Sequence, residues 1–362
     1  VLKLLQPMDD EALANTAILF RVWSQSVPIE LKLLARQVPY RIDAGKGALF
    51  SREVQAITSL LMVVSGRIRN LPDEDRLDIA RQLLRFPHVG LKEPELEQLA
   101  RFLAGFGEGW HERLLAMDFD ALAPMAAKKL RKLGETLAQL ERFKGSVADL
   151  ISRYAEETEL YEGIRSLALT HETADERIET IRGFRLYLSG LDVSIDGALE
   201  HLKALKKQAG ENRHGGALLS TIHRTKGLEW STVILPGLQE KYLPYSPRAQ
   251  DDPKAFLESE RRLLYVAMTR TREQLHLITR PFGEKRHLDG DQGPSRFVDE
   301  LCFPLSQEFG QWLDGRSCDS ADALTATVPL TSTGLRYAHL QGSYHNKTYM
   351  LLLVYVVPFY GI

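Results

Sequence analysis

Cysteine is almost missing from this chain: there are 2 in 362 residues, Cys302 and Cys318. So few thiols exclude a disulfide framework of the secreted kind and a structural zinc site built on cysteines. A reducing, cytoplasmic setting is the expectation. An excess of one charge is also lacking, with 46 Lys plus Arg against 48 Asp plus Glu. Contact with a polyanion must then come from local patches, not from the field of the whole molecule. The longest apolar run, Met350 to Ile362, is broken by Pro358 and falls short of the roughly 20 residues that span a bilayer. No membrane partner is expected. Val1 to Leu5 carries no cleavage pattern of a secretory leader. No period repeats along the chain, which argues against a solenoid. The chain begins with Val, not Met, as a piece of a longer protein would.

What is present is ordinary for a globular protein, 44% hydrophobic and 26% charged, at a length that allows two or three domains. Ala17-Ile18-Leu19-Phe20 is a continuous apolar run of the kind found in strands buried on both faces. Ser24 or Ser26 can cap a following helix through Ile29, Leu33 and Leu34, which Pro39 stops. Tyr40-Arg41-Ile42 reads as a second strand, and Glu53 to Val64 as an amphipathic helix. This βαβ start favours a parallel sheet. From Gly66 to Gly210, Leu, Ala, Glu, Arg and Lys dominate and helical patterns are cut by Pro and Gly. Strand chemistry returns at 217–222 and 232–235. A long helix is expected from Phe256 to about Gln274, and a strand at His276–Thr279. The simplest architecture is an α/β domain, residues 1–65 and 213–305, with an all-helical insertion at 66–212. The segment 306–362 is left unassigned.

No phosphate-binding loop of the G-x-x-x-x-G-K-[ST] type is present. Gly45-Lys46 runs into Gly47, and Asn346-Lys347-Thr348 has Asn where the second glycine belongs. Asp73-Glu74-Asp75 follows no buried strand and reads as a solvated helix start. No histidine pair has metal-ligand spacing, and His111, His171 and His201 read as isolated surface or capping residues. Lys128-Lys129-Leu130-Arg131-Lys132 reads as a solvated helix face, since acids follow and no aromatic interleaves.

Two stretches are denser in chemistry. Ser220 to Trp230 sets hydroxyls, His223, Arg224, Lys226 and Glu229 around Gly227, after a buried strand. In open parallel sheets, ligands gather at the carboxyl ends of strands. The other stretch is Glu258 to Glu273. Its apolar residues fall on two sides of a helix, so Arg270 is expected beside buried surface, where it needs an anion. Either Glu273 or Glu229 supplies that anion internally, or a ligand phosphate does.

These residues resemble the C-terminal half of superfamily 1A DNA helicases of the UvrD/Rep type. Thr221-Ile222-His223-Arg224-Thr225-Lys226-Gly227-Leu228-Glu229-Trp230 is similar to motif V, T-[IL]-H-x-[AS]-K-G-L-E-[FW]. Glu260 to Glu273 is similar to motif VI, E-E-R-R-L-x-Y-V-x-x-T-R-A, with Thr271 in place of the alanine. Ile18 to Arg21 with Gln25-Ser26 resembles motif IV, and Gly45 to Glu53, with Phe50 and Arg52, the motif after it. Gly237 to Glu240 with Leu243-Pro244, and Pro294 to Phe297, fit later segments of the core.

The resemblance implies a RecA-like domain (2A) carrying an inserted helical domain (2B), and an ATP-dependent 3′-to-5′ DNA helicase whose ATP and Mg2+ are bound with N-terminal 1A/1B domains. It implies that Arg21 and Arg270 reach the γ-phosphate, and that Gly227 and Glu229 belong to the ATP site. Thr221, His223 and Arg52 would meet single-stranded DNA. Pro87-His88-Val89-Gly90-Leu91-Lys92 resembles the P-x-x-G-I-G turn that touches duplex, with Gly90 and Lys92 as contacts at a single-strand/duplex junction. Lys92 departs from the final glycine of that pattern. The alternative is a non-catalytic DNA- or protein-binding module of the same architecture. No nuclease cluster follows Phe297.

Overall fold

A computed structural model describes residues 1–43, 47–211, 215–245, 252–279 and 293–301. Expectations for Gly45-Lys46, both cysteines, Asn346 to Thr348 and the tail 306–362 lie outside the described residues. The described residues form two compact units, one of residues 3–21 with those within 215–301, the other of those within 22–211.

The first unit is built on parallel strands. β1 (Thr16–Phe20) is buried at all five positions, as its unbroken apolar run predicts. β3 (Ala217–Thr221) and β4 (Trp230–Pro236) flank it, with Phe20 opposite Thr221 and Ile18 opposite Ile234. β5 (Thr271–Ile278) lies outside β4, with Val233 opposite Leu275. The order is therefore β3-β1-β4-β5. Ala17, Leu19, Val233, Leu235, Leu275 and Leu277 share one face, which the helix Pro253–Met268 covers through Leu264, Ala267 and Met268. Each such fully buried aliphatic side chain is worth about 1.5–3 kcal/mol.

Three local expectations are corrected. The helix ends at Met268, and 271–274, expected as its last turn, is strand. Trp230 N–H donates to the Arg270 carbonyl at 2.9 Å, and pairing with β4 outcompetes one more helical turn. Arg272, Glu273 and Gln274 face solvent on the outermost strand, where charge suits an edge. The helix is also not apolar on two opposed sides. Half-buried Leu257, Leu263 and Val266 pack on the same core as Leu264, and Arg262 is exposed. Neither Ser24 nor Ser26 caps the helix Ser26–Ala35: both hydroxyls are buried without a partner after a tight turn at Trp23–Gln25.

In the second unit, β2 (Tyr40–Ile42) follows that helix. Glu30, almost wholly buried, accepts from Tyr40 Oη at 2.9 Å and from Ala48 N at 2.8 Å. Burial lifts its carboxyl above the ordinary value. The helix Arg52–Val64 starts at Ser51, whose Oγ accepts from Val54 N at 3.3 Å. From Asp73 to Glu211, every α-helix or strand among the described residues is a helix.

Candidate functional site

Arg21 leaves the carboxyl end of β1 beside Thr221, the last residue of β3. Its guanidinium is fully engaged on one edge. Nε donates to Glu260 Oε2 at 2.8 Å and Nη2 to Oε1 at 2.8 Å. The two side chains are 17% and 4% exposed. Tyr245 N–H donates to the same carboxylate at 3.0 Å, and the Tyr245 ring lies 5.2 Å from the Arg21 guanidinium carbon. His223 sits in the short 3-10 turn Ile222–Thr225 that leaves β3. Desolvation lowers its imidazole pKa; the positive charge of Arg21 adds to the shift and Glu260 opposes it. This end of the sheet thus joins Arg21, Thr221, His223, Tyr245 and Glu260.

The loop then crosses to the opposite end of the sheet. Gly227 takes φ +86°, a left-handed conformation that side chains resist, although a Cβ there would meet nothing within 4 Å. Beyond it, Leu228 and Glu229 lie where β4 begins, next to Arg270 where β5 begins. Arg270 donates from Nε to the Val266 carbonyl at 3.0 Å, from Nη1 to the Leu228 carbonyl at 3.2 Å, and from Nη2 to Thr269 Oγ1 at 3.1 Å. These partners are all uncharged. Arg272 takes Glu229 instead, Nε to Oε2 at 3.2 Å. Glu273 faces Ser231, with Oγ donating at 3.4 Å.

Comparison with known proteins points to DNA helicases. Residues 112–280 match the UvrD-like helicase C-terminal domain, a span that holds β3, β4, β5 and the helix between. The chain is 28% identical over 323 residues to the ATP-dependent DNA helicase PcrA of Bacillus subtilis, covering 84% of this chain and 42% of that protein. It is 29% identical over 314 residues to DNA helicase II of Escherichia coli, covering 80% of this chain and 40% of that protein. The ATP-dependent DNA helicase Rep of Salmonella typhimurium is 26% identical over 310 residues, covering 79% and 43%. The resemblance to UvrD/Rep-type helicases holds. The chain spans about 40% of the length of these relatives.

Outside the matched UvrD-like span, Arg52 is the exposed first residue of its helix. Gly90 turns the chain between the helices Asp73–Arg85 and Glu93–Ala104 at φ +85°, and its N–H donates to His88 Nδ1 at 3.2 Å. Lys92 N–H donates to Glu95 Oε2 at 2.8 Å, which fastens the next helix start. The basic run at 128–132 is largely solvent-facing, with Lys132 paired to Glu157 and Lys129 Nζ donating to the His88 carbonyl at 3.0 Å. Two histidines expected to be isolated have partners: His111 meets Glu141 at 2.9 Å and His201 meets Tyr187 Oη at 2.7 Å. Among the described residues no group of three His, Cys, Asp or Glu could hold a metal. Nor is any described helix long and apolar enough to cross a membrane.

Sequence reasoning quoted Glu260 and Arg272 within motif VI but gave neither a role. Neither had a local signal, because their partners lie on distant parts of the chain.

Proposed function

We propose that this chain is the C-terminal portion of an ATP-dependent 3′-to-5′ DNA helicase or translocase. Residues 1–65 and 213–305 act as its 2A domain, and 66–212 as an inserted 2B domain. N-terminal 1A/1B domains outside this chain complete the ATP site and hold Mg2+. Arg270 and Arg21 serve the γ-phosphate, and Gly227 and Glu229 complete this side of the ATP site. Thr221, His223 and Arg52 meet single-stranded DNA, and Gly90 and Lys92 meet duplex at a junction.

One observation carries this reading: Arg270 is half-buried and bonded only to neutral oxygens among its described partners, while the adjacent carboxylate is held by Arg272. A carbonyl bond is readily exchanged for a phosphate oxygen, because charge-assisted hydrogen bonds are roughly twice as strong as neutral ones. In phosphoryl transfer, an arginine reaching across a cleft stabilises charge on the transferring group. The test is ATP hydrolysis by the full-length parent, with and without single-stranded DNA, in wild type and Arg270→Ala. DNA-stimulated turnover that collapses in the variant supports the assignment. A parent without ATPase activity, or a variant with normal turnover, refutes it.

A further inference from the structure

We propose that the second unit carries a strand-binding pocket of its own, built by Arg142, Phe143, Lys144 and Arg153, which takes a short stretch of single-stranded DNA. The inference rests on the reading of this chain as DNA-binding, and on none of its ATP-site assignments. It is also separate from the turn at Gly90. That glycine lies against Ala126 at the start of the helix Pro124–Leu140. The pocket is at the other end of the helix, about 20 Å away at 1.5 Å per residue.

The pocket, of about 570 Å³, opens where the helix Pro124–Leu140 ends and the helix Val147–Glu157 begins. Its floor is a fixed turn. Arg142 N–H donates to the Gln139 carbonyl at 3.3 Å, and Phe143 N–H to the Leu140 carbonyl at 3.0 Å. Phe143 is half-buried and its ring lines the pocket. The ring lies over Gly145, where a Cβ would strike it, and the Arg153 guanidinium carbon is 5.9 Å from the ring centre.

Arg142, Lys144 and Arg153 are exposed, and none forms an ion pair with another described residue. Three neighbouring acids are held by other groups. Glu141 meets His111 at 2.9 Å, Glu157 is bound by Lys132, and Asp149 accepts from Ser146 Oγ at 2.7 Å. Three unpaired cations around one aromatic ring suit a nucleic-acid strand. Guanidinium forks take phosphate oxygens, and the ring takes an unstacked base. The basic run at 128–132 lacks this combination, since Lys132 already has Glu157 and no aromatic interleaves. Duplex, whose bases stay stacked, would use the cations and not the ring.

The test is fluorescence anisotropy of the 362-residue chain with three labelled probes in turn: oligothymidine, a duplex of equal length and poly-glutamate. Wild type is compared with Phe143→Leu and with a triple variant, Arg142→Ala, Lys144→Ala and Arg153→Ala, with folding checked by circular dichroism. Loss of three phosphate contacts should flatten the slope of log affinity for oligothymidine against log salt by about 2. Phe143→Leu should weaken binding about tenfold at an unchanged slope, as loss of one stacked base would. Phe143→Tyr, which keeps an aromatic face, should bind like wild type, and decides the matter if the leucine variant does not fold. An unchanged slope in the triple variant, or unchanged affinity in Phe143→Leu, overturns the proposal. So does duplex or poly-glutamate that binds as tightly as oligothymidine and responds equally to the variants, since the occupant is then a duplex or an acidic protein. Variants that bind like wild type beside a weakened His223→Ala sink this inference alone. A chain with no affinity for single-stranded DNA sinks the DNA-binding reading with it.

Discussion

Arg272 donates from Nε to Oε2 of Glu229 at 3.2 Å, and Arg270, two residues earlier, is left with carbonyl and hydroxyl oxygens among its described partners. The Arg272–Glu229 pair is 61% and 49% exposed, so it is worth at most about 1 kcal/mol and is easily exchanged. The arrangement keeps the anion away from Arg270 without locking Glu229.

Arg270→Ala in the full-length parent should lower ATP turnover by roughly 10³- to 10⁵-fold, the range for an arginine finger. Lysine should rescue poorly, since it lacks the planar fork. Melting temperature should hardly move, because the lost bonds go to neutral acceptors at a half-buried site. Turnover, ATP affinity and melting measured on one variant separate this outcome from a structural role.

The 362-residue chain alone should show no DNA-stimulated ATPase. It lacks the glycine-rich loop and lysine that cradle the β- and γ-phosphates. Phosphate release by the purified chain, followed with and without single-stranded DNA, checks this; robust turnover would contradict it.

Single-stranded DNA should still bind weakly, and the affinity should fall with added salt as counterions cease to be released. Acidification should strengthen binding once His223 gains its proton. Its depressed pKa moves that gain below the ordinary histidine range. Fluorescence anisotropy with a labelled oligonucleotide, across salt and pH, reads both effects. A His223→Ala variant that keeps the same pH response would show that another group is responsible.

Glu260→Ala should destabilise the sheet-bearing unit by about 3–5 kcal/mol, the usual cost of breaking one side of a buried ion pair. Replacing both partners, as in Arg21→Met with Glu260→Leu, should recover much of that loss. Urea unfolding of the four corners of this cycle gives the coupling directly.

Glu30 sets a pH dependence of opposite sense to that of a surface carboxylate. Its folded-state pKa lies above the unfolded value of 4.5, so the folded state holds the proton more tightly. The stabilising contribution is complete below pH 4.5 and is lost as pH rises through the raised folded value. Glu30→Gln should flatten this part of the stability profile, which chemical denaturation at several pH values would reveal.

Much of the fold was legible because its signals are local. The apolar run at Ile18 and the β-branched run at Val233 marked buried strands, and the loss of such runs between Gly66 and Gly210 marked helices. The resemblance to UvrD/Rep-type helicases was legible because the stretches at Thr221 and Glu260 each pack several charged residues into one short run. Non-local competition stayed hidden. Thr271 to Gln274 leaves the helix only because Trp230 and Thr232 are there to pair with it. Ser24 and Ser26 look like caps, yet the tight turn at Trp23 buries both hydroxyls. Arg21 and Glu260 are 239 positions apart, and no pattern on either side announces their bond.

The pairing of β1 with β3 also bears on the order of folding. Ala17 sits opposite Leu218, about 200 residues later, whereas the helices of residues 22–214 form from one uninterrupted stretch. Closing so long a loop costs entropy before any strand contact repays it, while contiguous helices collapse early. A chain still emerging from the ribosome could therefore complete its helical unit first. Arg21 would wait beside an unfinished sheet until β3 arrives and the later helix delivers Glu260, which ties maturation of the site to residues synthesised more than 200 positions after Arg21.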